Sequence, residues 1–381
     1  MNARAAEDLA KLIGAWPRRS RPWLEDAVVH ERVLRAWGTP ATRELWKYTP
    51  INSMVEAFGQ TPSDTGSRWE GLDQPGVRAV PFNGLAADDR DLVNTVLEGG
   101  LDTGRHLLAD LALLRASDGM LVEVTGTPAR PIEVAHGAPG TTVVILVVRP
   151  QSTVTLIERQ TAPAFSAQVL LADVGRDARL DHHRSAFPDK VGLWSLAQTR
   201  VHDGAAYQLA QQALGGARGR LETHVVLSGR GASAELTGAY LGADGHHLDQ
   251  QVTVEHEAPD TVSRQQFHGI GVGKSRNAFN GRIHIHPRAT RSDAWLSNRN
   301  LALHVDAEMN TKPELEIYTD DVRCAHGATV GQLSADSLFF LTARGIPEPA
   351  ARTMLAHAFL RECISGPLAE EGTVRLLGAI R

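Results

Sequence analysis

The chain contains few cysteines: only Cys324 and Cys363 occur among its 381 residues. Two thiols exclude the disulfide framework of a small secreted domain, and their scarcity fits a reducing compartment. A metal site held by four thiolates cannot be built from this chain alone. Any metal role would therefore need histidine ligands or a second subunit.

Long apolar runs and long basic runs are also missing. The longest apolar run, Val143–Val148, is far shorter than the ~20 residues that span a bilayer. The start of the chain lacks the apolar core of a signal peptide and carries Glu7 and Asp8. The net charge is -5 and the basic cluster Arg18–Arg21 is short, so the footprint of a nucleic-acid binder is missing. We expect no membrane and no nucleic acid as partners, and a cytoplasmic location.

Aromatic residues make up only 5% of the chain, whereas glycine occurs 35 times. This balance favours many tight turns and small stacked strands over a bulky helical core. The chain is longer than the ~250 to 300 residues at which a single core stops growing. We therefore expect one elongated core or two to three domains.

Residues 1–118 are predicted to form a mostly helical N-terminal region. Apolar residues recur there at three- and four-residue spacing, which is typical of amphipathic helices. The four segments with this spacing are Ala5–Leu12, Glu25–Trp37, Asp88–Glu98 and Leu101–Ala116.

Residues 119–333 are predicted to form a core made mainly of β-strands. Short apolar or alternating runs follow one another, separated by glycine, aspartate and asparagine turns. Few helices lie between them, which excludes a doubly wound α/β sheet. A sandwich or barrel and a β-helix both remain open. Similar turn-then-strand phrases begin at Gly175 and Gly229, and this weak internal echo favours the stacked β-helix.

Residues 334–381 are predicted to be helical again. Ala335–Arg344 and Glu348–Ile364 have helical patterns, with Gly345 ending the first helix and Pro347 opening the second. The second helix carries an apolar stripe formed by Ala351, Leu355, Phe359 and Cys363. Such a stripe is usually core, but part of it could offer a docking surface to another protein.

Cys324 and His326 are the strongest candidates for chemistry. They lie two residues apart at the end of a predicted strand, where residues i and i+2 share a face. One sulfur and one nitrogen on the same face could bind iron or zinc. The alternative is a buried thiol beside a hydrogen-bonded histidine.

Two further motifs are weaker. His284 and His286 also share a face, but no helical Glu-x-x-His or His-x-x-x-His pair accompanies them, so we assign them no metal role. The segment Gly269–Ser275 imitates a phosphate-binding loop, but His268 stands where that loop needs glycine. We interpret it as a glycine-rich corner and expect no ATP hydrolysis.

A β-helical carbohydrate-active enzyme, either a lyase or a hydrolase, is the alternative function. Such an enzyme needs a pair of carboxylates at a fixed separation in a cleft. The pattern fixes no such separation among the available acids, which are Asp293, Asp306, Asp320 and Asp321.

Three segments resemble the SufB and SufD family of iron-sulfur cluster assembly scaffold proteins. They are Glu44–Pro50, the stretch from Asn280 to Thr329, and the helical stretch from Leu338 to Glu362. The length of the chain is similar to that of the SufD branch rather than the longer SufB branch. The resemblance implies a mainly β fold: a right-handed parallel β-helix core flanked by N-terminal and C-terminal helical regions.

The resemblance also implies a function. The chain would be a non-catalytic scaffold subunit that pairs with a SufB-like subunit and binds a SufC-like ATPase through its C-terminal helices. Cys324 and His326 would lie at the junction of the two scaffold subunits and share a transient, nascent iron-sulfur cluster, with none bound tightly by the isolated chain. A further alternative, independent of the resemblance, is a homodimer that serves only as a structural placeholder and forms by strand pairing at the end of the β-helix. The residues expected to bind the partner are Leu338, Phe339, Arg344, Gly345, Ile346, Pro347, Ala358 and Phe359.

Overall fold

The computed structural model describes residue 14 and residues 26–36, 44–49, 51–60, 66–100, 106–116, 118–161, 164–188 and 192–380. Within these ranges it contains two sheets of nine strands each. Along most of the chain, successive strands alternate between the two sheets. Neighbours within one sheet are therefore separated by a strand of the other sheet, as in a coil that stacks on itself.

The two sheets, called A and B, share one pattern of pairing. Their first pairs, β1 with β4 and β2 with β3, are antiparallel, and all later pairs are parallel. Sheet A contains β1 (Ser67–Glu70), β4 (Ile132–His136), β6 (Thr153–Gln160), β8 (Arg179–Ala186), β10 (Ala206–Leu214), β12 (Ser233–Gly242), β14 (Val262–Gly271), β16 (Ser292–Ala302) and β18 (Val322–Gly331). Sheet B contains β2 (Val77–Pro81), β3 (Asp118–Val124), β5 (Gly140–Val148), β7 (Ser166–Val174), β9 (Leu193–Val201), β11 (Gly219–Leu227), β13 (His247–His256), β15 (Arg276–Ile285) and β17 (Glu308–Ile317).

The chain thus winds through about eight turns of a parallel β-solenoid with helices at both ends. This confirms the predicted parallel β-helix and excludes the sandwich and the barrel. The coil length follows from the register, in which Gly219 aligns with Leu248 and Leu248 aligns with Asn277. Residues about 29 positions apart in sequence are therefore neighbours across adjacent coils.

Glycine shapes the corners of this coil. Gly229 precedes β12 and packs so closely on the preceding coil that an added Cβ would lie 1.9 Å from the Asp203 backbone nitrogen. Gly175 occupies the same kind of corner before β8, where a Cβ would lie 2.9 Å from the Val148 carbonyl oxygen. The two phrases that look alike in the sequence are therefore equivalent corners two coils apart.

The interior of the β-helix is filled by alternate residues of every strand. One column on sheet A runs through Leu209, Leu236, Gln265 and Leu296, each aligned with the next in the register. All four are buried, and a fully buried leucine contributes roughly 2 kcal/mol through the hydrophobic effect. These stacked columns explain why the strands read as short apolar runs.

The N-terminal segments cover the outer face of sheet B. Four helices lie there: α1 (Asp26–Ala36), α2 (Ile51–Gln60), α3 (Ala87–Gly100) and α4 (Leu107–Arg115). A short 3-10 helix, Phe82–Gly84, precedes α3. Phe58 of α2 packs its ring against Phe165 and Trp194 of the sheet side, with ring centroids 5.4 and 5.9 Å apart. The sequence pattern missed β1 and β2, and the predicted helix Ala5–Leu12 lies outside the described residues.

Three helices follow the last strand: α5 (Ala335–Thr342), α6 (Glu348–Arg361) and α7 (Ala369–Gly378). Ser334 caps α5, because its hydroxyl oxygen accepts a hydrogen bond from the Ser337 backbone nitrogen. Buried Leu360, Cys363 and Leu376 pack against the outer face of sheet A, on buried residues such as Ile270. None of the helices in the described ranges has the length and apolar character that crossing a bilayer requires.

Candidate metal centre at the open end of the β-helix

The last coil leaves two long strand edges uncovered. β18 pairs with β16, and β17 pairs with β15, but the described residues supply no further strand to the other side of either. Each edge strand is ten residues long. An edge of this length presents a row of backbone donors and acceptors to a second chain.

Cys324 and His326 lie on β18 and share its inward face. Cys324 aligns with Ala294, and His326 aligns with Leu296 of the preceding coil. Both neighbours are fully buried in the interior, so the two side chains continue interior columns to the open end. The expectation that they share a face is met by this register. Cys324 is half-buried, whereas His326 is exposed.

The surroundings of Cys324 keep its thiol protonated. Burial raises the pKa of Cys324, and the charge of Asp293 raises it further, while a backbone hydrogen bond at Ala294 acts in the opposite direction. A metal ion binds the thiolate, so binding here releases a proton. Metal binding at Cys324 therefore depends on pH.

A chain of buried amides supports the open end from inside. The Tyr240 hydroxyl donates to Asn300 Oδ1 at 2.6 Å, and Asn300 Nδ2 donates to Asn298 Oδ1 at 2.6 Å. The Thr311 hydroxyl of β17 donates to the same Asn298 oxygen at 2.8 Å. This network ties the last coil to the coils beneath it. No local sequence pattern marks it, because its members are spread over several coils, from Tyr240 to Thr311.

The predicted partner-binding residues of the C-terminal helices differ in position. Phe339 on α5 is 73% exposed. Its neighbour Phe340 is 54% exposed, with the central carbon of the Arg344 guanidinium 3.4 Å from the centroid of its ring. Leu338 and Ile346 are half-buried, whereas Gly345, Pro347 and Ala358 are exposed.

Phe359 has an additional, structural contact. Its ring stacks on His268 of β14 with centroids 4.5 Å apart, and its carbonyl oxygen lies 2.7 Å from Nδ1 of that histidine. Phe359 therefore packs α6 against the outer face of sheet A. Among the large apolar residues of the predicted surface, Phe339 on α5 is the exposed one.

The structure also joins residues that the sequence analysis kept apart. Glu255 of β13 aligns with His284 of β15, and His286 follows two positions later on the same face. The three side chains bring one ligand atom each within 4.8 Å of one another. The spacing of one coil between Glu255 and His284 was the signal that could have found this cluster.

Comparisons with known proteins bear on these sites. A family model described as the SufBD core domain of the SUF system for FeS cluster assembly matches residues 134–359. The matched range begins in β4 and ends in α6, so it contains Cys324, His326 and the exposed α5.

Individual relatives are similar over most of the chain. The iron-sulfur cluster assembly protein SufD of Escherichia coli is 29% identical over 331 residues, which is 86% of this chain and 74% of the relative. An iron-sulfur cluster assembly SufBD family protein of Mycobacterium tuberculosis is 28% identical over 353 residues, which is 88% of this chain and 87% of the relative. A SufBD family protein of Synechocystis is 30% identical over 220 residues, or 57% of this chain and 48% of that protein.

Proposed function

Because the chain belongs to the SufBD family of iron-sulfur cluster assembly proteins, we propose that it is a non-catalytic scaffold subunit of a cytoplasmic assembly complex. It pairs with a SufB-like subunit through the open end of the β-helix and receives a SufC-like ATPase on its C-terminal helices. The nascent iron-sulfur cluster is the cargo of this complex, and it forms between the two scaffold subunits.

The observation that carries the proposal is the position of Cys324 and His326 on the inward face of the last, uncovered strand. One thiolate and one imidazole are too few to close a cluster site, because an iron-sulfur cluster takes about four protein ligands. A site shared between two subunits can have the full number of ligands. The partner then supplies the remaining ligands.

The strand edges support a partner of the same architecture. β17 and β18 each offer ten residues of backbone for pairing, and a second β-helix presents matching edges. A second copy of this chain offers such edges as well, so the isolated protein can form a homodimer by the same surface. A SufB-like subunit differs by completing the ligand set.

The C-terminal helices support an attached ATPase. Three large apolar side chains of these helices are exposed: Phe339 at 73%, Phe340 at 54% and Met354 at 50%. A SufC-like ATPase bound there would cover these side chains.

A short connection links this surface to the metal-binding strand. β18 ends at Gly331 and α5 begins at Ala335, so movement of α5 acts directly on the strand that carries Cys324 and His326. ATP-driven approach of two ATPase subunits would shift the two helical units and open or close the junction. This is a coupling between two sites through one rigid element, with different contacts in each nucleotide state.

The scaffold role is favoured over the carbohydrate-active alternative. Arg264 donates to Asp293 at 2.7 Å, and Asp306 lies 3.7 Å from His304, so two of the four candidate acids already have partners. A scaffold role also agrees with membership of the SufBD family.

The test is co-expression with SufB-like and SufC-like partners, followed by anaerobic purification and measurement of bound iron and sulfide. We expect the wild-type complex to carry both, and His326→Ala and Cys324→Ala to reduce both at least about tenfold, because each removes a ligand of the shared site. Complex formation should persist in these variants.

The matched control is Arg323→Ala. Arg323 stands between the two candidate ligands but alternates to the outer face of β18, so its loss should leave bound iron unchanged. Full iron and sulfide in both ligand variants would overturn the proposed role of this site. Failure of the chain to associate with either partner would overturn the scaffold assignment itself.

A further inference from the structure

A cluster of two histidines and one carboxylate lies on the outer face of sheet B, on the two strands that precede the edge strand β17. Glu255 is on β13, His284 is on β15, and His286 directly follows β15. β13 and β15 are interior strands, flanked by β11 and β17, so the backbone that carries the cluster is paired on both sides. Side chains on such strands are held in place before any ligand arrives.

The distances within the cluster match the dimensions of a metal site. His286 Nε2 lies 3.1 Å and His284 Nδ1 lies 3.8 Å from the same oxygen, Glu255 Oε2. All three ligand atoms fall within 4.8 Å of one another. A tetrahedral zinc ion with bonds of about 2.0 to 2.1 Å holds its ligand atoms about 3.3 Å apart. The observed distances lie on both sides of this value, so small side-chain rotations suffice to bind an ion.

The second oxygen of Glu255 is oriented by other groups. Glu255 Oε1 lies 3.4 Å from His224 Nε2 and 3.7 Å from Arg282 Nη1. These contacts turn Oε2 toward the two histidines. Partners that orient a ligand in this way are typical of metal sites in proteins.

The positive charge of Arg282 opposes a cation at the cluster. Its Nη2 lies 3.4 Å from His284 Nδ1, and an ion would replace this contact. Arg282 Nε also donates to Glu316 at 2.7 Å, so a carboxylate balances the guanidinium charge. The charges of Arg282 and Glu316 cancel each other. The negative charge of Glu255 therefore remains to attract the ion.

The cluster is open enough to exchange an ion with solvent. The side chains of Glu255, His284 and His286 are 15%, 18% and 33% exposed. The rings of His284 and His286 stack with centroids 4.1 Å apart, which presents their nitrogens side by side. Three protein ligands leave a fourth position for water.

We propose that Glu255, His284 and His286 bind one borderline divalent transition-metal ion of the zinc or iron(II) class. Two imidazoles and one carboxylate favour these ions over magnesium and calcium, which prefer all-oxygen sites. The site uses none of the residues at the open end of the β-helix, so it does not depend on the proposed function. A bound ion joins two adjacent coils and stabilises the β-helix there.

The test uses the full chain carrying Cys324→Ser, so that the thiol at the open end cannot contribute. After treatment with a chelator, zinc binding is measured by equilibrium dialysis, and cobalt(II) is added to a second sample for its absorption spectrum. We expect one zinc per chain, a higher unfolding temperature with zinc, and a four-coordinate cobalt spectrum without a sulfur charge-transfer band.

Variants connect the ion to these residues. His286→Ala and His284→Gln should each weaken zinc binding at least about tenfold, and Glu255→Gln should do the same. His304→Ala is the matched control, because His304 is an exposed histidine outside the cluster, and it should bind zinc like the parent. Circular dichroism checks that each variant is folded, and His286→Ala, at the most exposed position, is the least disruptive of the three.

Two results would overturn the proposal. One is the absence of saturable zinc binding in the Cys324→Ser chain. The other is zinc binding that persists at full strength in folded His286→Ala and His284→Gln, which would mean that the cluster is only a hydrogen-bonded group.

Discussion

The guanidinium of Arg220 lies flat on the indole of Trp46, with its central carbon 3.8 Å from the ring centroid. Trp46 belongs to the segment 44–49 of the N-terminal region, whereas Arg220 is on β11. The same guanidinium donates from Nη1 to the Leu45 carbonyl oxygen at 3.0 Å. One side chain of the β-helix therefore holds the segment that resembles the family's N-terminal motif.

Arg220 is also the centre of a buried charge network, and its removal should be costly. It is 1% exposed and donates to Glu222 Oε1 at 2.7 Å and to Asp249 Oδ2 at 2.6 Å. Burial alone raises the pKa of Glu222, but Arg220 and His106 outweigh it and lower that pKa to about 2. Arg220→Ala would leave two buried carboxylates without their main partner, and we expect a loss of about 3 to 5 kcal/mol in unfolding free energy by urea titration.

Arg230→Ala is the control for this loss. Arg230 pairs with Asp260 at 2.8 Å, but its side chain is 73% exposed. An exposed ion pair contributes at most about 1 kcal/mol. Equal losses in the two variants would show that the buried network around Arg220 contributes no more to stability than an exposed ion pair.

Gly229 should tolerate no side chain. A Cβ there would lie 1.9 Å from Asp203 N and 2.1 Å from His202 C, and both are backbone atoms that cannot move without shifting a coil. We expect Gly229→Ala to cost about 1 to 3 kcal/mol, the usual range for overpacking, or to prevent folding. Thermal unfolding followed by circular dichroism measures the effect.

Gly137 provides the comparison for this corner. An added Cβ at Gly137 meets nothing within 4 Å. Gly137→Ala should therefore melt at the wild-type temperature. A melting temperature for Gly229→Ala equal to that of Gly137→Ala would contradict the close stacking of the corner.

The sequence predicted the parts of the molecule that depend on local pattern. Alternation predicted that Cys324 and His326 share a face, and the glycine-rich phrases at Gly175 and Gly229 indicated a stacked coil. Contacts between coils were not predicted, because a partner such as Glu255 lies 29 residues before His284 and the pair is recognisable only once the length of a coil is known. The buried polar interior was missed for the same reason: its hydrogen bonds connect residues one or two coils apart.

His256 should make the fold sensitive to mild acid. It is fully buried, with Nδ1 2.8 Å from the Thr261 hydroxyl and Nε2 2.9 Å from the Ser263 hydroxyl. Burial lowers the pKa of His256 from 6.5 to about 4, with Asp293 acting in the opposite direction and His286 in the same direction. The folded pKa is below the unfolded one, so the unfolded chain takes up the proton first as the pH falls.

The contribution of His256 to the unfolding free energy is fully present above about pH 6.5. It is lost as the pH falls toward 4. Between pH 7 and pH 5 the unfolding free energy should fall by about 2 kcal/mol, because the unfolded chain binds more protons at this histidine than the folded chain does. We expect His256→Gln to lose correspondingly less between these two pH values in urea titrations. An unchanged pH dependence in this variant would show that another group is responsible.

The two cysteines should differ sharply in reactivity. Cys363 is 1% exposed, and burial and, to a smaller extent, the charge of Glu362 raise its pKa to about 12. Cys324 is half-buried at the open end, and burial raises its pKa less strongly. In the folded chain at pH 8, a thiol reagent should therefore label one site quickly, and its rate should rise roughly tenfold per pH unit below the pKa, because the thiolate is the reactive form.

Single variants identify the labelled thiol, since Cys324→Ser should abolish the fast phase and Cys363→Ala should leave it intact. Unfolding in urea should expose both thiols equally. Fast labelling of Cys363 in the folded chain would mean that α6 separates readily from sheet A. Addition of a SufB-like partner should slow the labelling of Cys324, because pairing of β18 covers the open end. A labelling rate that the partner leaves unchanged, although the two chains co-purify, would place their contact somewhere other than the strand that carries Cys324.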